Sequence, residues 1–481
     1  MARDRMDRFL IGGSWVAPDP AAGAMACENP ATGETLGRLA LGTAQDAARA
    51  VEAARAAFAG WSQIPLADRL AVLDRLLALY RRRKQEFADA MRLEMGAPAE
   101  FALEAQAAAG ELHLEATLEA ARRFPWEEIR GGTLILREGI GVCGLITPWN
   151  WPMNQIVCKV APALAAGCTV VLKPSELAPI SATLFAEVMQ EAGCPAGVFN
   201  MVHGTGPEVG QVLASHPDID MVSFTGSTRA GVEVALAAAP TVKRVAQELG
   251  GKSPNILLEG CDFPAAVAAG VAACMANAGQ SCDAPTRMLV PRGRMSEVLD
   301  LARDAAATQR PGDPLDPATT MGPLISQMHW DRVQGFIAAG IDEGARLVAG
   351  GPGRPEGLNR GHFARPTVFG EVTPDMTVAR EEIFGPVLAI LPYGSVDEAV
   401  EIANASDYGL AAFVQGPIEA ARAVGRRLRA GQISLNDPEW DVHAPFGGYK
   451  RSGNGREYAD WGIDDFCEIK ALVGHGRAGE T

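Results

Sequence analysis

A cysteine follows a helix-length apolar run in Asn277-Ala278-Gly279-Gln280-Ser281-Cys282, where the helix should give way to a glycine-bearing turn. A thiol just past a helix end, rather than on its apolar face, is placed to attack an electrophilic carbon. Free cysteines more often serve as small buried hydrophobes, and no histidine lies near enough in sequence to suggest a papain-like pair. The candidate base is Glu248, in Gln247-Glu248-Leu249-Gly250-Gly251-Lys252. It ends a β-rich run before two glycines, a position that suits a carboxylate at a cleft and equally an exposed glutamate before a turn. Two glycine-bearing strand-to-helix turns could present N–H groups to an anion. The first, Gly204-Thr205-Gly206-Pro207-Glu208-Val209-Gly210, is one residue too long for the dinucleotide fingerprint. The second spans Gly226 to Gly231, with Ser227 or Thr228 available to cap the helix that follows.

These groups need a scaffold, and the chain alternates between strand and helix where they occur. Leu66, Leu70, Leu73, Leu77 and Tyr80 recur at helical spacing, and the Ala-rich stretches 44–58 and 99–123 also read as helices. From about 140 short β-rich runs appear: Ile140–Thr147, Thr169–Lys173, Val198–Val202, Met221–Thr225 and Asn255–Leu258. Helix-length segments such as Ile180–Ala192 and Thr205–Ser215 lie between them, the pattern of a parallel sheet covered on both faces. A second alternating stretch runs from Phe263 to about Asn436. Its predicted helices include Phe263–Ala278 and Ser395–Asn404, and its strands Arg287–Val290, Val387–Pro392 and Gly431–Leu435. The Gly/Pro-rich segments 309–324 and 350–361 are loops. Two α/β domains with a cleft between them is the expected architecture.

Composition narrows the function. A chain of 481 residues, 48% of them apolar, is long enough for two or three cores. A net charge of −15 argues against a nucleic-acid partner. The basic run Arg81-Arg82-Arg83-Lys84 reads as cations at a helix C-terminus. No apolar h-region follows the charged N-terminus, and no run of about eighteen apolar residues predicts a membrane span. Nine cysteines without disulfide or zinc spacing predict no metal and point to a reducing cytoplasm.

Seven segments together resemble one family. They are Thr147-Pro148-Trp149-Asn150-Trp151-Pro152, Lys173-Pro174-Ser175-Glu176, Phe224-Thr225-Gly226-Ser227-Thr228, Glu248-Leu249-Gly250-Gly251-Lys252, Gly279-Gln280-Ser281-Cys282, Glu381-Glu382-Ile383-Phe384-Gly385-Pro386 and Pro445-Phe446-Gly447-Gly448-Tyr449-Lys450. In this order and at these separations they are similar to the aldehyde dehydrogenase superfamily over essentially the whole chain. The resemblance implies a Rossmann-like NAD-binding domain (1–120 and 140–250) and a catalytic domain (251–452). A small β bridging arm, 121–139 and 453–481, would pair with a neighbouring subunit in a homodimer or homotetramer.

The resemblance also implies roles. Cys282 is the nucleophile and Glu248 the general base; the side-chain amide of Asn150 and the Cys282 N–H hold the oxyanion. An aldehyde would be oxidised with NAD through a thioester that water hydrolyses to the acid. Lys173 and Glu176 would meet the adenosine ribose, and Ser227, between Gly226 and Gly231, the pyrophosphate. Glu382 would hold the nicotinamide ribose, with Phe384, Trp149 and Leu249 nearby. Lys159 and Glu457 match a family pair near the active site and suggest a proton path. The acidic Glu176 favours NAD over NADP. Glu248 argues against an acylating relative that passes the thioester to coenzyme A, and Cys282, Glu248 and Asn150 together argue against a silent scaffold. Two departures stand out. His329 occupies the place of a cofactor-contacting glutamine. Asp283 stands where many relatives carry a small or neutral residue; it either faces the substrate tunnel or turns away into a hydrogen bond.

Overall fold

The computed structural model describes residues 2–476. Two large sheets dominate. The first has eight strands, and its central five form the parallel core: β1 (Val142–Ile146), β2 (Thr169–Lys173), β3 (Phe199–Met201), β4 (Met221–Thr225) and β5 (Arg244–Glu248). Their spatial order is β3-β2-β1-β4-β5, all parallel. The antiparallel edges are Phe9–Ile11, which leads to Ser14–Val16, and Gly453–Asn454 beside β5. β1, β2, β3 and β4 are buried along their whole length, so both faces are covered. The order reverses between β1 and β4. The crevice at the carboxyl ends of such a pair is where open α/β sheets bind ligands.

The second sheet has seven strands from Pro254–Leu257 to Gln432–Leu435, parallel except at its Arg346–Ala349 edge. Each sheet has its own apolar core. A separate three-stranded ribbon joins Glu127–Arg130, Thr133–Gly139 and Cys467–Val473. The expected segment 453–481 therefore contributes both a sheet edge and a ribbon strand; its residues beyond 476 lie outside those described. No described helix is long and apolar enough to cross a membrane.

Three predicted helices depart from regularity, and each departure has a physical reason. The segment 99–123 is interrupted by a π-helical stretch at Ala102–Ala107 before α1 (Ala108–Arg123). That widened turn carries Gln106, whose fully buried amide donates to the carbonyl of Asn150 at 3.1 Å. The predicted helix 205–215 likewise opens with a π-helical stretch, Gly206–Gly210, and only Gln211–Ser215 is α-helical. The predicted helix 263–278 stops three residues early, because its last three positions belong to the loop described below.

Candidate active site

The loop before Cys282 is built from left-handed backbone. Three further helices contribute to the site: α2 (Pro152–Ala166), α3 (Thr228–Ala238) and α4 (Phe263–Met275), which leads into this loop. After α4, Asn277 (φ 52°), Ala278 (φ 55°) and Gly279 (φ 71°) follow in succession. Two of these are not glycine, a conformation that persists only where the surroundings enforce it. A side chain at position 279 would put its Cβ 2.1 Å from the carbonyl oxygen of Gly385, so only glycine fits. Buried amides lock the loop. Asn277 Nδ2 donates to the Asn150 carbonyl at 2.9 Å, and Gln280 Nε2 donates to the Asn277 carbonyl at 2.9 Å. Gln280 Oε1 accepts from Ile325 N at 2.9 Å. Asn150 Nδ2 donates to the Gln280 carbonyl at 3.0 Å, which leaves its second hydrogen for a ligand. Trp151 Nε1 donates to Ser281 Oγ at 2.8 Å and ties the same two segments together.

Glu248 ends β5, and its carboxylate is buried with neither oxygen hydrogen-bonded. Burial first, then the negative charge of Glu457, pushes its pKa well above the carboxylate range, against the opposing pull of Lys159 and Arg456. Glu457 differs, since it is ion-paired with Lys159 of α2 and accepts from Cys158 Sγ at 3.4 Å. Burial works to discharge Lys159, but Glu457, Cys158 and Glu248 outweigh it and raise its pKa. The Cys282 thiol is raised well above its ordinary value by burial first, then by the charges of Asp283, Glu248 and Glu382.

Two cavities meet at Cys282. One, of about 210 Å³, lies at the switch point and collects Trp149 and Asn150 after β1, Gly226 and Ser227 after β4, and Leu249 after β5. The second domain closes it with His329, Glu382 and Phe384. Glu382 accepts from Gly251 N at 3.0 Å, and a Cβ at Gly250 would meet its carboxylate at 2.3 Å. Phe384 has φ 59°, and its carbonyl is 2.6 Å from His329 Nε2; Trp149 meets both rings edge-on. His329, where the sequence left any contact open, thus faces this cavity and holds the strained Phe384; burial lowers its pKa to about 4. Ser227 caps α3 through Ala230 N at 3.3 Å, with the first N–H groups of α3 around it. Thr225 also lines the cavity, and its buried Oγ1 has no hydrogen-bond partner. A carboxylate, an unpaired hydroxyl, a helix N-terminus and an aromatic wall are a donor set that fits a nicotinamide dinucleotide.

Lys173, Glu176 and Gly231 do not line that cavity. Lys173, at the end of β2, donates to Glu176 Oε2 at 3.1 Å and to the carbonyls of Pro174 and Gly204. Gly231 lets α3 pack on Leu249, where a Cβ would come within 2.6 Å. The second cavity, of about 420 Å³, is walled by aromatic side chains of Trp151, Trp440, Phe446 and Tyr458, with Asp283 beside the thiol. Tyr458 itself has φ 80°. Behind the wall, His113 and Asn154 Oδ1 are 2.6 Å apart and the imidazole packs on Tyr458. Gln106, Asn277, Trp440 and Tyr458 were not singled out from sequence.

Comparison with known proteins agrees with this geometry. The aldehyde dehydrogenase family matches residues 15–472. A 3-succinoylsemialdehyde-pyridine dehydrogenase from a Pseudomonas species is 52% identical over 97% of this chain and 98% of its own length. The crystal structure of a mutant of aldehyde dehydrogenase C from Pseudomonas syringae, with NAD+ and octanal, superposes with a TM-score of 0.97 at 54% identity, covering 99% of this chain and 98% of that one. The Mycobacterium tuberculosis aldehyde dehydrogenase in complex with NAD+ gives 0.95 at 42% identity, covering 97% and 98%.

Proposed function

From the premise that the chain belongs to the aldehyde dehydrogenase family, we propose that Cys282, Glu248 and Asn150 divide its reaction among them. The enzyme oxidises an aldehyde to the free carboxylic acid with NAD, through a cysteine-bound intermediate. The observation that carries the assignment is the convergence of the two cavities on Cys282, together with the buried, unpartnered carboxylate of Glu248. The thiol passes its proton to the ionised Glu248 carboxylate, which releases it to solvent, and the sulfur bonds to the aldehyde carbon, leaving a negative oxygen that the free Asn150 hydrogen and the Cys282 N–H hold in place. NAD, when bound, would supply the hydride acceptor for that carbon. The remaining thioester is hydrolysed by water whose proton Glu248 accepts, and sulfur leaves with the acid released.

Trp149, Asn150, Leu249, Glu382 and Phe384 hold the nicotinamide and its ribose, and Gly226 and Ser227 the pyrophosphate. Lys173 and Glu176 hold the adenosine ribose, and Gly231 supports the intervening helix. Lys159 and Glu457 form the buried relay behind Glu248. The aromatic 420 Å³ cavity suits an elongated apolar or aromatic aldehyde. Octanal and a pyridyl semialdehyde, named for the two Pseudomonas relatives, are of this kind. The domain limits are 1–120 with 140–250, 251–452, and 121–139 with 453–481. Exposed Ile129, Ile469, Leu472 and Val473 on the ribbon support a homodimer or homotetramer assembled through it, in the cytoplasm. The test is mass spectrometry of the Glu248→Gln variant after mixing with NAD and octanal. An acyl group on the Cys282 peptide is the expected result; turnover with no acyl group there would overturn the assignment.

A further inference from the structure

The aromatic cavity is unusual in its charges. Asp283 and Glu104 are the only ionisable carboxylates among the described residues lining it, and no lysine, arginine or histidine joins them. Neither carboxylate is in an ion pair among the described residues, whereas most other acidic side chains around the site are hydrogen-bonded or paired. Asp283 adjoins the nucleophile, and Glu104 is exposed at the rim on the widened turn before α1. The remaining wall is chiefly aromatic, and ring faces attract cations and repel anions. We propose that Asp283 makes this cavity a charge filter, which turns away aldehydes bearing a carboxylate and admits those whose far end is neutral or cationic.

The inference rests on the reading of Cys282 as the nucleophile and of this cavity as its substrate path. An anionic tail must pass Glu104 and lie beside Asp283 with no cation to pair with, in surroundings that screen charge poorly. A cationic tail gains a partner on the same path. Asp283 also has a cost for the nucleophile, because after burial it is the largest influence holding the thiol protonated. A cationic substrate offsets that cost at the moment of attack, and a neutral one leaves it unchanged. The same field acts on the product. The carboxylate formed at Cys282 is generated next to Asp283 and is pushed outward.

The filter is read without turnover by alkylating Cys282 with iodoacetamide and with iodoacetate, near-isosteric reagents that differ in charge. In both the sulfur bonds to the reagent carbon and iodide leaves. Peptide mass spectrometry isolates Cys282 from the other cysteines, glutathione supplies the reference ratio, and the ratio is followed upward from about pH 8 because burial raises the Asp283 pKa above its ordinary value. Relative to glutathione, iodoacetate should be disfavoured at Cys282 by about tenfold to a hundredfold, the size of one partly screened charge contact. Asp283→Asn should recover most of that factor, and Glu104→Gln a smaller part. A second arm measures kcat/KM for pentanal, succinic semialdehyde and 4-trimethylammoniobutanal. Wild type should rank the anion last, and Asp283→Asn should narrow the cation-to-anion ratio about tenfold. An alkylation ratio equal to glutathione's, or unmoved in Asp283→Asn, overturns the filter. A normal alkylation filter with no turnover of any aldehyde would uphold it while removing the dehydrogenase reading on which its substrate language rests.

Discussion

Glu248 and Glu457 are two carboxylates buried within the same wall, and they are treated oppositely. Glu457 has a charged partner in Lys159 and a thiol donor in Cys158, so its charge is answered inside the protein. Glu248 has no donor at either oxygen. An unanswered buried carboxylate is costly and takes up a proton unless something enters to stabilise its charge. The difference separates holding from reacting. The paired carboxylate keeps its charge matched within the relay, and the unpaired one retains the capacity to accept a proton from water.

Removing the thiol tests whether either carboxylate does anything without it. Cys282→Ala should reduce aldehyde oxidation by about 10⁴-fold, on the scale of losing a nucleophile, while NAD still binds by fluorescence titration. Appreciable turnover by folded Cys282→Ala would assign the attack elsewhere.

Removing the paired carboxylate should show in stability. Glu457→Gln leaves Lys159 buried and uncompensated, at a cost of about 3–5 kcal/mol in chemical denaturation, and Lys159→Met/Glu457→Gln should regain much of it. Because Glu457 raises the Glu248 pKa and Lys159 lowers it, Glu457→Gln should move the rising limb of the pH–rate profile to lower pH. An unshifted limb would mean that the two carboxylates are not coupled.

Removing the unpaired carboxylate should leave stability nearly untouched and stall hydrolysis. Glu248→Gln is expected to give a burst of NADH followed by a steady state slower by about 10²–10³-fold. In wild type the raised pKa means Glu248 is ionised, and hydrolysis fast, only as pH climbs beyond the ordinary carboxylate range; that limb should vanish in Glu248→Gln. A normal steady state there would remove Glu248 from the role of base.

A third carboxylate extends the contrast with a smaller effect. Glu176 is partly exposed and already bonded to Lys173, so it should steer the cofactor without reacting. Glu176→Ser should raise the NADP-to-NAD ratio of kcat/KM by about tenfold, since it removes one charge facing a 2′-phosphate. An unchanged ratio would detach Glu176 from cofactor choice.

Legibility from sequence followed the same division between backbone and side chains. The strand–helix alternation was readable, because buried parallel strands leave short apolar runs bounded by glycine and proline. Cys282, Asn150, Glu382 and Ser227 were readable through contiguous motifs, whose glycines are fixed by close approaches such as Gly250 to Glu382. The π-helical stretch carrying Gln106 was not, since alanine-rich composition favours any helix; the only signal was one amide in an apolar stretch. The helix before Cys282 was extended to Ala278 by propensity, and tertiary contacts won. Asn277 carried the hint, because asparagine tolerates left-handed backbone. Trp440 and Tyr458 wall the aromatic cavity from segments far from Cys282 in sequence, and no local pattern reports such a meeting.

The two cavities share only Cys282 among their lining residues, and this has a consequence for traffic. Dinucleotide and aldehyde do not queue at one opening, so neither has to depart before the other arrives. The acid is formed on the aldehyde's side and leaves by that side. Added acid should therefore compete with aldehyde in steady-state inhibition but not with NAD, and raising the dinucleotide concentration should not relieve it. The order of arrivals is then set by readiness of the thiol and not by congestion.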